Sequence, residues 1–293
     1  MSQSPNILIT GATGTIGKEL TKCLSEKNVQ FRTMVRSIEA TQELARLPQV
    51  ELIEGNFDSA ASVENALRGI EKAFLLTNSS ESAELQQINF VKAAKNAGVK
   101  HIVKLSQWAA DVHSPVRFLR YHAVVENFIK ESGIDFTFLR PNLFMQGLLG
   151  FRETIIKQNQ FFGALGNSKI SIVDICDIAE VAGIALTEPG HENKIYNITG
   201  PESLSHYEMA EKLSAALDRQ ITFVDLSSEK LKEMLLGVGF PKWQAEGLVE
   251  DYAHYKLGEA SEISPEVEKL TGKPARNFTD FVKDHAKLFD ANS

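Results

Sequence analysis

The chain has 293 residues, of which 43% are hydrophobic and 24% charged, a composition typical of a soluble globular protein with a sizeable core. Its 31 basic and 38 acidic side chains give a net charge of −7, which argues against direct binding to nucleic acid or to an anionic membrane surface. Two cysteines, Cys23 and Cys176, exclude a disulfide scaffold, and no apolar run is long enough to cross a membrane. No secretory signal is recognisable, so the cytoplasm is the expected compartment.

Short apolar runs rich in β-branched residues alternate with helical patterns over the first half of the chain. The predicted strands are 6–10, 30–35, 50–54, 72–76, 101–105 and 135–139. The predicted helices are 17–27, 38–47, 59–68, 84–97 and 116–132, and Gly98 and Gly133 end the last two. This alternation predicts right-handed βαβ units and an α/β fold, a Rossmann-type doubly wound parallel sheet.

The alternation loosens after Pro141. The predicted strands there are 169–173, 194–198 and 220–224, and the predicted helices are 177–187 and 205–217. Residues 229–257 and 265–289 are expected to be largely helical. We therefore predict two domains, 1–140 and a smaller, mainly helical domain over 141–293, with some segments of the second returning to the sheet.

A glycine-rich segment, Gly11-Ala12-Thr13-Gly14-Thr15-Ile16-Gly17, lies between the first strand and the first helix. In that position the first glycine permits a tight turn, the second lets the backbone approach a pyrophosphate, and the third lets the helix pack on the strand. The helix N-terminus adds free amides and a partial positive charge. A glycine-rich turn without a ligand is the alternative. The predicted dinucleotide-binding residues are Gly11, Thr13, Gly14, Thr15, Ile16 and Gly17.

The end of the second strand indicates which dinucleotide binds. An NAD site usually has Asp or Glu there, to hold the ribose 2′-hydroxyl. This chain has Arg36, a cation suited to a 2′-phosphate, and no carboxylate beside it to repel the phosphate. NADPH is therefore the expected cofactor, with a solvated surface arginine as the alternative.

Further cofactor contacts are expected at the carboxyl ends of later strands, where α/β sheets bind ligands. Each of these residues could instead be a loop residue or a helix cap, Asp58 and Ser59 above all. Asp177 is expected to cap the helix that follows it, and no histidine spacing suggests a metal. The predicted contacts are Phe57 near the adenine, Thr77, Asn78 and Ser79 near the ribose, and Pro141, Asn142 and Phe144 after the sixth strand.

The sequence resembles the NmrA-like family of atypical short-chain dehydrogenase/reductases, and within it the quinone and triphenylmethane-dye reductases. The motifs that carry the resemblance include G-A-T-G-T-I-G, N-A-G-V-K-H-I-V, S-G-I-D-F-T-F-L-R-P-N-L-F-M-Q and V-D-I-C-D-I-A. The resemblance implies a Rossmann domain, a small C-terminal domain and a substrate cleft between them. It also implies one of two functions, an NADPH reductase or a catalytically silent redox-sensing regulator, and it leaves a homodimer open.

The sequence lacks the usual proton-donor motif of short-chain reductases. Short-chain reductases use Tyr-x-x-x-Lys with an upstream Ser, because the Lys lowers the pKa of the Tyr. Ser106 matches that Ser, but the residue four after Tyr121 is Val125, so Tyr121 is not assigned. The resemblance instead aligns His122 with a family histidine.

Glu126 shares a helix face with His122 and could orient its imidazole. A buried core histidine is the alternative. Ser106 and His122 are therefore the catalytic candidates.

A missing acid favours acceptors that take hydride onto a delocalised system, such as quinones or cationic dyes, since water can supply any proton. The predicted function is an NADPH-dependent reductase of a small apolar or aromatic acceptor, with a non-catalytic NAD(P)-sensing regulatory protein as the alternative. Asn142, Phe144 and Met145 are expected beside the nicotinamide. An apolar wall is expected from Phe161, Phe162, Met234, Trp243 and Tyr252, although ordinary core packing would also explain them.

Overall fold

The computed structural model describes residues 5–290, which fold into two compact units. Unit 1 comprises residues 5–113, 119–140 and 178–196. Unit 2 comprises residues 114–118, 141–177 and 197–290. The first long segment of unit 2 thus begins at Pro141, and one later segment returns to unit 1.

Strands and helices alternate regularly before residue 141. The elements are β1 (Ile7–Ile9), α1 (Thr15–Glu26), β2 (Phe31–Val35), α2 (Gln42–Ala45), β3 (Val50–Glu54), α3 (Ala60–Ala66), β4 (Lys72–Leu75), α4 (Ala83–Ala97), β5 (His101–Leu105), α5 (Arg117–Ser132) and β6 (Asp135–Pro141). The predicted helix over 38–47 is instead a 3₁₀ turn, Glu39–Thr41, followed by the short α2.

Helices predominate after residue 141. The elements are a 3₁₀ segment (Met145–Phe151), α6 (Arg152–Gln158), β7 (Gln160–Gly163), α7 (Ile175–Thr187), β8 (Lys194–Ile198), α8 (His206–Leu217), β9 (Thr222–Asp225), α9 (Ser228–Gly237), α10 (Lys242–Lys256), α11 (Glu266–Thr271), α12 (Phe278–His285) and a last 3₁₀ turn (Ala286–Phe289).

One seven-stranded sheet has the order β3-β2-β1-β4-β5-β6-β8. The pairings from β3 across to β6 are parallel, with Leu8 opposite Ala73 and Lys104 opposite Phe138. This is the strand order of doubly wound dinucleotide-binding folds, and it confirms the predicted fold class. Strands β1 and β5 are buried along their whole length, as expected for a parallel sheet covered on both faces.

Unit 2 has its own hydrophobic core and a separate two-stranded parallel sheet, β7 beside β9. The predicted strand over 169–173 is wrong, because that segment makes only isolated bridges, Ile170 with Leu204 and Val173 with Phe144. Strand β7 was not predicted, because its four residues follow directly on α6 and carry no alternating pattern.

The two long helical predictions are interrupted where glycine and proline punctuate the sequence. Gly239 has φ +91° and Pro241 precedes α10, so 229–257 forms two helices. Gly272, at φ +71°, ends α11 and divides 265–289 in the same way.

Candidate functional site

The glycine-rich turn after β1 has the geometry that its spacing predicts. Gly11 has φ +69°, in the left-handed region that favours glycine, and the Gly14 amide donates to its carbonyl oxygen at 3.0 Å. A Cβ on Gly17 would lie 2.1 Å from that same oxygen, so only glycine lets α1 begin so close to the turn. A Cβ on Gly14 would meet only the Gly11 oxygen, at 3.4 Å, so the space beyond Gly14 is open.

Within residues 5–290, no side chain caps the N-terminus of α1. Gly14 occupies the cap position, the first turn carries no acidic residue, and the first intrahelical bond runs from the Lys18 amide to the Gly14 carbonyl. The amides of Thr15, Ile16 and Gly17 therefore have no intrahelical acceptor. Thr13, Gly14 and Thr15 are exposed. Free amides beside an open glycine fit a pyrophosphate group.

Arg36 follows directly after β2 and is exposed. Within residues 5–290, no side chain or carbonyl forms a hydrogen bond or ion pair with its guanidinium. The nearby carboxylate of Glu54 is already an acceptor, for the Ile38 amide at 3.0 Å. An unpaired guanidinium at this strand end fits the 2′-phosphate of NADPH.

The other predicted cofactor residues of unit 1 follow β3 and β4. Phe57 is half-buried against Phe90, with ring centroids 5.9 Å apart. Thr77 accepts a hydrogen bond from Gln87 Nε2 at 2.8 Å, and Asn78 is exposed. The hydroxyl of Ser79 lies 3.2 Å from that of Tyr121.

The residues predicted after the sixth strand, Pro141, Asn142 and Phe144, belong to unit 2. The rest of β6 belongs to unit 1. Pro141 is buried and Phe144 is half-buried. Asn142 donates both amide hydrogens within unit 2, to Ser171 Oγ at 2.9 Å and to the Ala260 carbonyl at 2.8 Å. A cofactor contact from these hydrogens would therefore replace a bond that unit 2 already makes.

Ser106 and Glu126 form part of a buried polar cluster between β5, α5 and β6. The Ser106 hydroxyl donates to Glu126 Oε1 at 2.6 Å, and Arg140 binds both oxygens of the same carboxylate. The expectation that Glu126 orients His122 is therefore wrong. The carboxylate is taken by a hydroxyl and a guanidinium, and a bidentate Arg–carboxylate pair is among the strongest hydrogen-bonded arrangements in proteins.

The partner of His122 is Lys104, a residue that sequence reasoning missed. Lys104 Nζ lies 2.7 Å from His122 Nδ1 and donates to the Leu105 carbonyl at 3.0 Å. Lys104 is fully buried on β5, and His122 is 8% exposed on α5. A lysine among the apolar residues Ile102, Val103 and Leu105 was the available signal, since lysine is almost never fully buried without a partner.

Burial controls the protonation of this pair. It lowers the pKa of Lys104 to about 7, with Glu126 opposing the shift and Arg140 adding to it. Burial also lowers the pKa of His122 well below its usual range, and the charges of Lys104 and Arg140 act in the same direction. The imidazole is therefore neutral, while Lys104 can gain or lose a proton near neutral pH.

Unit 2 contains a small, partly open pocket with a cavity volume of about 60 Å³. Four residues predicted to line the cleft meet there, Phe144, Met145, Phe161 and Tyr252. Phe162, Met234 and Trp243 are not part of its lining, and Trp243 instead packs on Phe118 with centroids 5.3 Å apart. The remaining lining residues are Leu143, Gly147, Leu148, Phe151, Ile172, His206, Met209 and Phe278.

His206 is the one imidazole in the lining of this pocket. It is 5% exposed, and its Nδ1 has no hydrogen-bond partner within the described chain. Burial lowers the pKa of His206 to about 4, so the ring is neutral near pH 7. The pocket thus combines aromatic and aliphatic walls with an unsatisfied polar atom, a composition typical of small-molecule sites.

The carboxylates after residue 170 have structural roles. Asp174, not Asp177, caps α7, because its carboxylate accepts from the Cys176 amide at 2.8 Å. Asp177 lies in the first turn and pairs with Arg276. Ser59 caps α3 as expected. Residues 5–290 contain no group of three metal-ligating side chains and no helix long and apolar enough to cross a membrane.

Comparison with known proteins gives consistent relatives over nearly the full length. The chain is 37% identical over 285 residues to the NAD(P)H azoreductase of Xenophilus azovorans, covering 97% of this chain and 99% of that one. A solved NADPH-dependent quinone oxidoreductase from Escherichia coli, complexed with NADPH, superposes with a TM-score of 0.87 at 29% identity and covers 97% of this chain and 100% of its own.

A solved triphenylmethane reductase from Citrobacter sp., complexed with NADP(H), has a TM-score of 0.85 at 29% identity, over 95% of this chain and 99% of its own. The model of the NmrA-like family matches residues 3–281. The match covers both units and includes the glycine-rich turn, Arg36 and the buried cluster. The chain belongs to the NmrA-like family.

Proposed function

We propose that the protein is an NADPH-dependent reductase that passes hydride to a quinone or a similar conjugated acceptor. The observation that carries the proposal is the open glycine turn at an uncapped helix N-terminus, together with an unpaired Arg36 at the end of β2. Relatives that are NAD(P)H-dependent reductases, two of them solved with the phosphorylated dinucleotide, support both the enzyme class and the cofactor.

Each part of the cofactor has a matching group on this chain. The free amides of Thr15 to Gly17 would hold the pyrophosphate, and Arg36 would pair with the 2′-phosphate. The polar residues after β4, Thr77 to Ser79, stand where a ribose is expected in this fold. Bound NADPH supplies hydride, while the protein supplies binding, orientation and exclusion of water.

The pocket of unit 2 supports an aromatic acceptor. Its walls are apolar and aromatic, so part of a conjugated molecule would pack against them. The neutral His206 ring would offer one hydrogen bond to a carbonyl or azo group of such a molecule. The azoreductase, quinone oxidoreductase and dye reductase among the relatives support acceptors of this class.

The expected test is the loss of NADPH absorbance with a panel of acceptors, namely a naphthoquinone, an azo dye, crystal violet and simple aldehydes. We expect turnover of at least one conjugated acceptor, none of the aldehydes, and NADPH preferred over NADH. Tight NADP binding without turnover of any acceptor would favour the regulatory alternative and overturn the proposed reductase.

A further inference from the structure

The pocket of unit 2 is too small to enclose a whole aromatic molecule. Its cavity volume is about 60 Å³, whereas a closed apolar cavity that takes benzene measures roughly 150 Å³. Because the pocket is partly open, a larger molecule can insert one end and leave the rest outside. The pocket therefore distinguishes ligands by the chemistry of the end group that enters it.

Two side chains with strong hydrogen-bonding groups line this pocket, His206 and Tyr252. Within residues 5–290, neither ring nitrogen of His206 makes a hydrogen bond, and the Tyr252 hydroxyl makes none either. His206 is 5% exposed, so little of its ring can be hydrated. A buried polar group without a partner is costly, so a ligand that supplies the missing hydrogen bond is favoured over an apolar ligand of the same shape.

The His206 ring is neutral near pH 7. Burial lowers its pKa to about 4, and the carboxylate of Asp225 opposes the shift only in part. A neutral imidazole carries one N–H donor and one acceptor nitrogen. It can therefore donate a hydrogen bond to a carbonyl oxygen, but it has no charge with which to balance an anion.

The surroundings of the pocket disfavour anions. Among the described residues that line it, none is Lys or Arg. The charged groups that act on its two polar side chains are both carboxylates, Asp225 on His206 and Asp251 on Tyr252. Moving a carboxylate or sulfonate from water into such surroundings is costly, because no cation compensates for the lost hydration.

We propose that the unit 2 pocket binds the uncharged, hydrogen-bond-accepting end group of an aromatic acceptor, such as a ring carbonyl, and that His206 selects this group over an apolar or anionic one. The inference rests on the proposed function for the identity of the ligand, whereas the lining residues all belong to unit 2. An acceptor that carries a sulfonate or carboxylate must keep that group outside the pocket.

Three single-ring compounds of nearly equal shape test this selectivity in the wild-type protein. Acetophenone has a carbonyl oxygen, α-methylstyrene has a CH₂ group in its place, and benzoate has a carboxylate. We expect acetophenone to bind about two- to tenfold more tightly than α-methylstyrene, which is the contribution of one neutral hydrogen bond. Benzoate should show no saturable binding at the same concentrations.

Methionine methyl groups report where these compounds bind. Met145 and Met209 line the pocket, whereas Met34 and Met234 do not. With carbon-13-labelled methionine methyls, acetophenone added without NADPH should shift the NMR signals of Met145 and Met209 and leave those of Met34 and Met234 unchanged. Shifts confined to Met34 or Met234, equal affinities for acetophenone and α-methylstyrene, or saturable benzoate binding at Met145 and Met209 would overturn the proposal.

The role of His206 is tested by His206→Phe, which removes the hydrogen bond and keeps an aromatic ring. The affinity for acetophenone should fall to that for α-methylstyrene, whose own affinity should change little and so shows that the pocket is intact. His285→Phe is the matched control, at a half-buried histidine outside the lining, and should behave as wild type. Selectivity for acetophenone that survives in His206→Phe would overturn the role of His206. The wild-type comparison of the three compounds tests the selectivity of the pocket even if His206→Phe fails to fold.

Steady-state kinetics with an uncharged quinone separate this inference from the proposed function. His206→Phe should raise the KM for the quinone by the same factor and leave kcat nearly unchanged, because the hydrogen bond is made equally before and during the reaction. Selective binding of acetophenone without turnover of any acceptor would support the pocket assignment and overturn the reductase. Quinone turnover together with unselective binding would support the reductase and overturn the pocket assignment.

Discussion

The glycine turn after β1 and the buried cluster around Glu126 are both in unit 1, but they differ in whether their polar groups have partners in the protein. At the turn, the backbone amides of Thr15 to Gly17 have no intrahelical acceptor, and the space beyond Gly14 is open. In the cluster, the Glu126 carboxylate is surrounded by a hydroxyl and a guanidinium and is 1% exposed.

This difference determines whether a substitution changes ligand binding or the stability of the fold. Donors that face solvent are hydrated in the free protein, so altering them changes ligand affinity at little cost to the fold. Paired buried groups are different, because removing one partner leaves the other desolvated without compensation. Variants of the turn should therefore affect the cofactor, and variants of the cluster should affect the free energy of unfolding.

The largest effect is expected from Gly14→Val. The φ of Gly14 is −79°, which any residue adopts, and its Cβ would meet only one protein atom, at 3.4 Å. The branched side chain would therefore fill the space of the pyrophosphate without distorting the turn. We expect NADPH binding to be lost in titration calorimetry, with an unchanged melting temperature. Gly150→Val, at another glycine with open space around it, is the matched control and should bind normally.

Substitutions in the buried cluster should lower the free energy of unfolding. Glu126→Gln removes the charge that pairs with Arg140 and should destabilise the protein by about 3 kcal/mol, since one partner of a buried ion pair is left uncompensated. Urea unfolding measures this change. Glu71→Gln breaks a surface pair with Lys100 and should leave the urea midpoint nearly unchanged. Equal midpoints for the two variants would contradict the distinction between the regions.

The turn could be predicted from the sequence because its geometry is local. Seven consecutive residues contain the positive φ of Gly11, the close approach at Gly17 and the start of α1. The position of Arg36 could be predicted for the same reason, since it depends only on where the second strand ends. The predicted doubly wound parallel sheet rests on the handedness of βαβ connections, which is nearly invariant.

The cluster could not be predicted in the same way, because its members come from β5, α5 and β6 and meet only in the folded chain. Helix spacing correctly put Glu126 and His122 one turn apart, but it could not show that Arg140 and Ser106 form hydrogen bonds with the Glu126 carboxylate. The lining of the unit 2 pocket was only partly predictable for the same reason. Aromatic composition suggested Phe161 and Tyr252, yet nothing local excluded Trp243 or pointed to His206.

A smaller effect is expected from Arg36→Asp. The substitution removes the partner of the 2′-phosphate and adds a repulsive charge, and a charged hydrogen bond is worth about 1.5–3 kcal/mol, or one to two decades in affinity. NADPH affinity should fall by that amount while NADH affinity stays the same. Arg46→Asp makes the same charge change at another exposed site and is the control. An unchanged preference for NADPH would show that Arg36 is only a solvated surface residue.

The buried lysine of the cluster also gives the free energy of unfolding a pH dependence. The pKa of Lys104 falls from 10.5 in the unfolded chain to about 7 in the fold. Between these values the unfolded state binds more protons than the native state, so the free energy of unfolding rises with pH by at most about 1.4 kcal/mol per unit. Below the native pKa this contribution is constant. Urea titrations across this range should show the rise in wild type and a flatter profile in Lys104→Met. A wild-type slope in that variant would place the proton uptake at another residue.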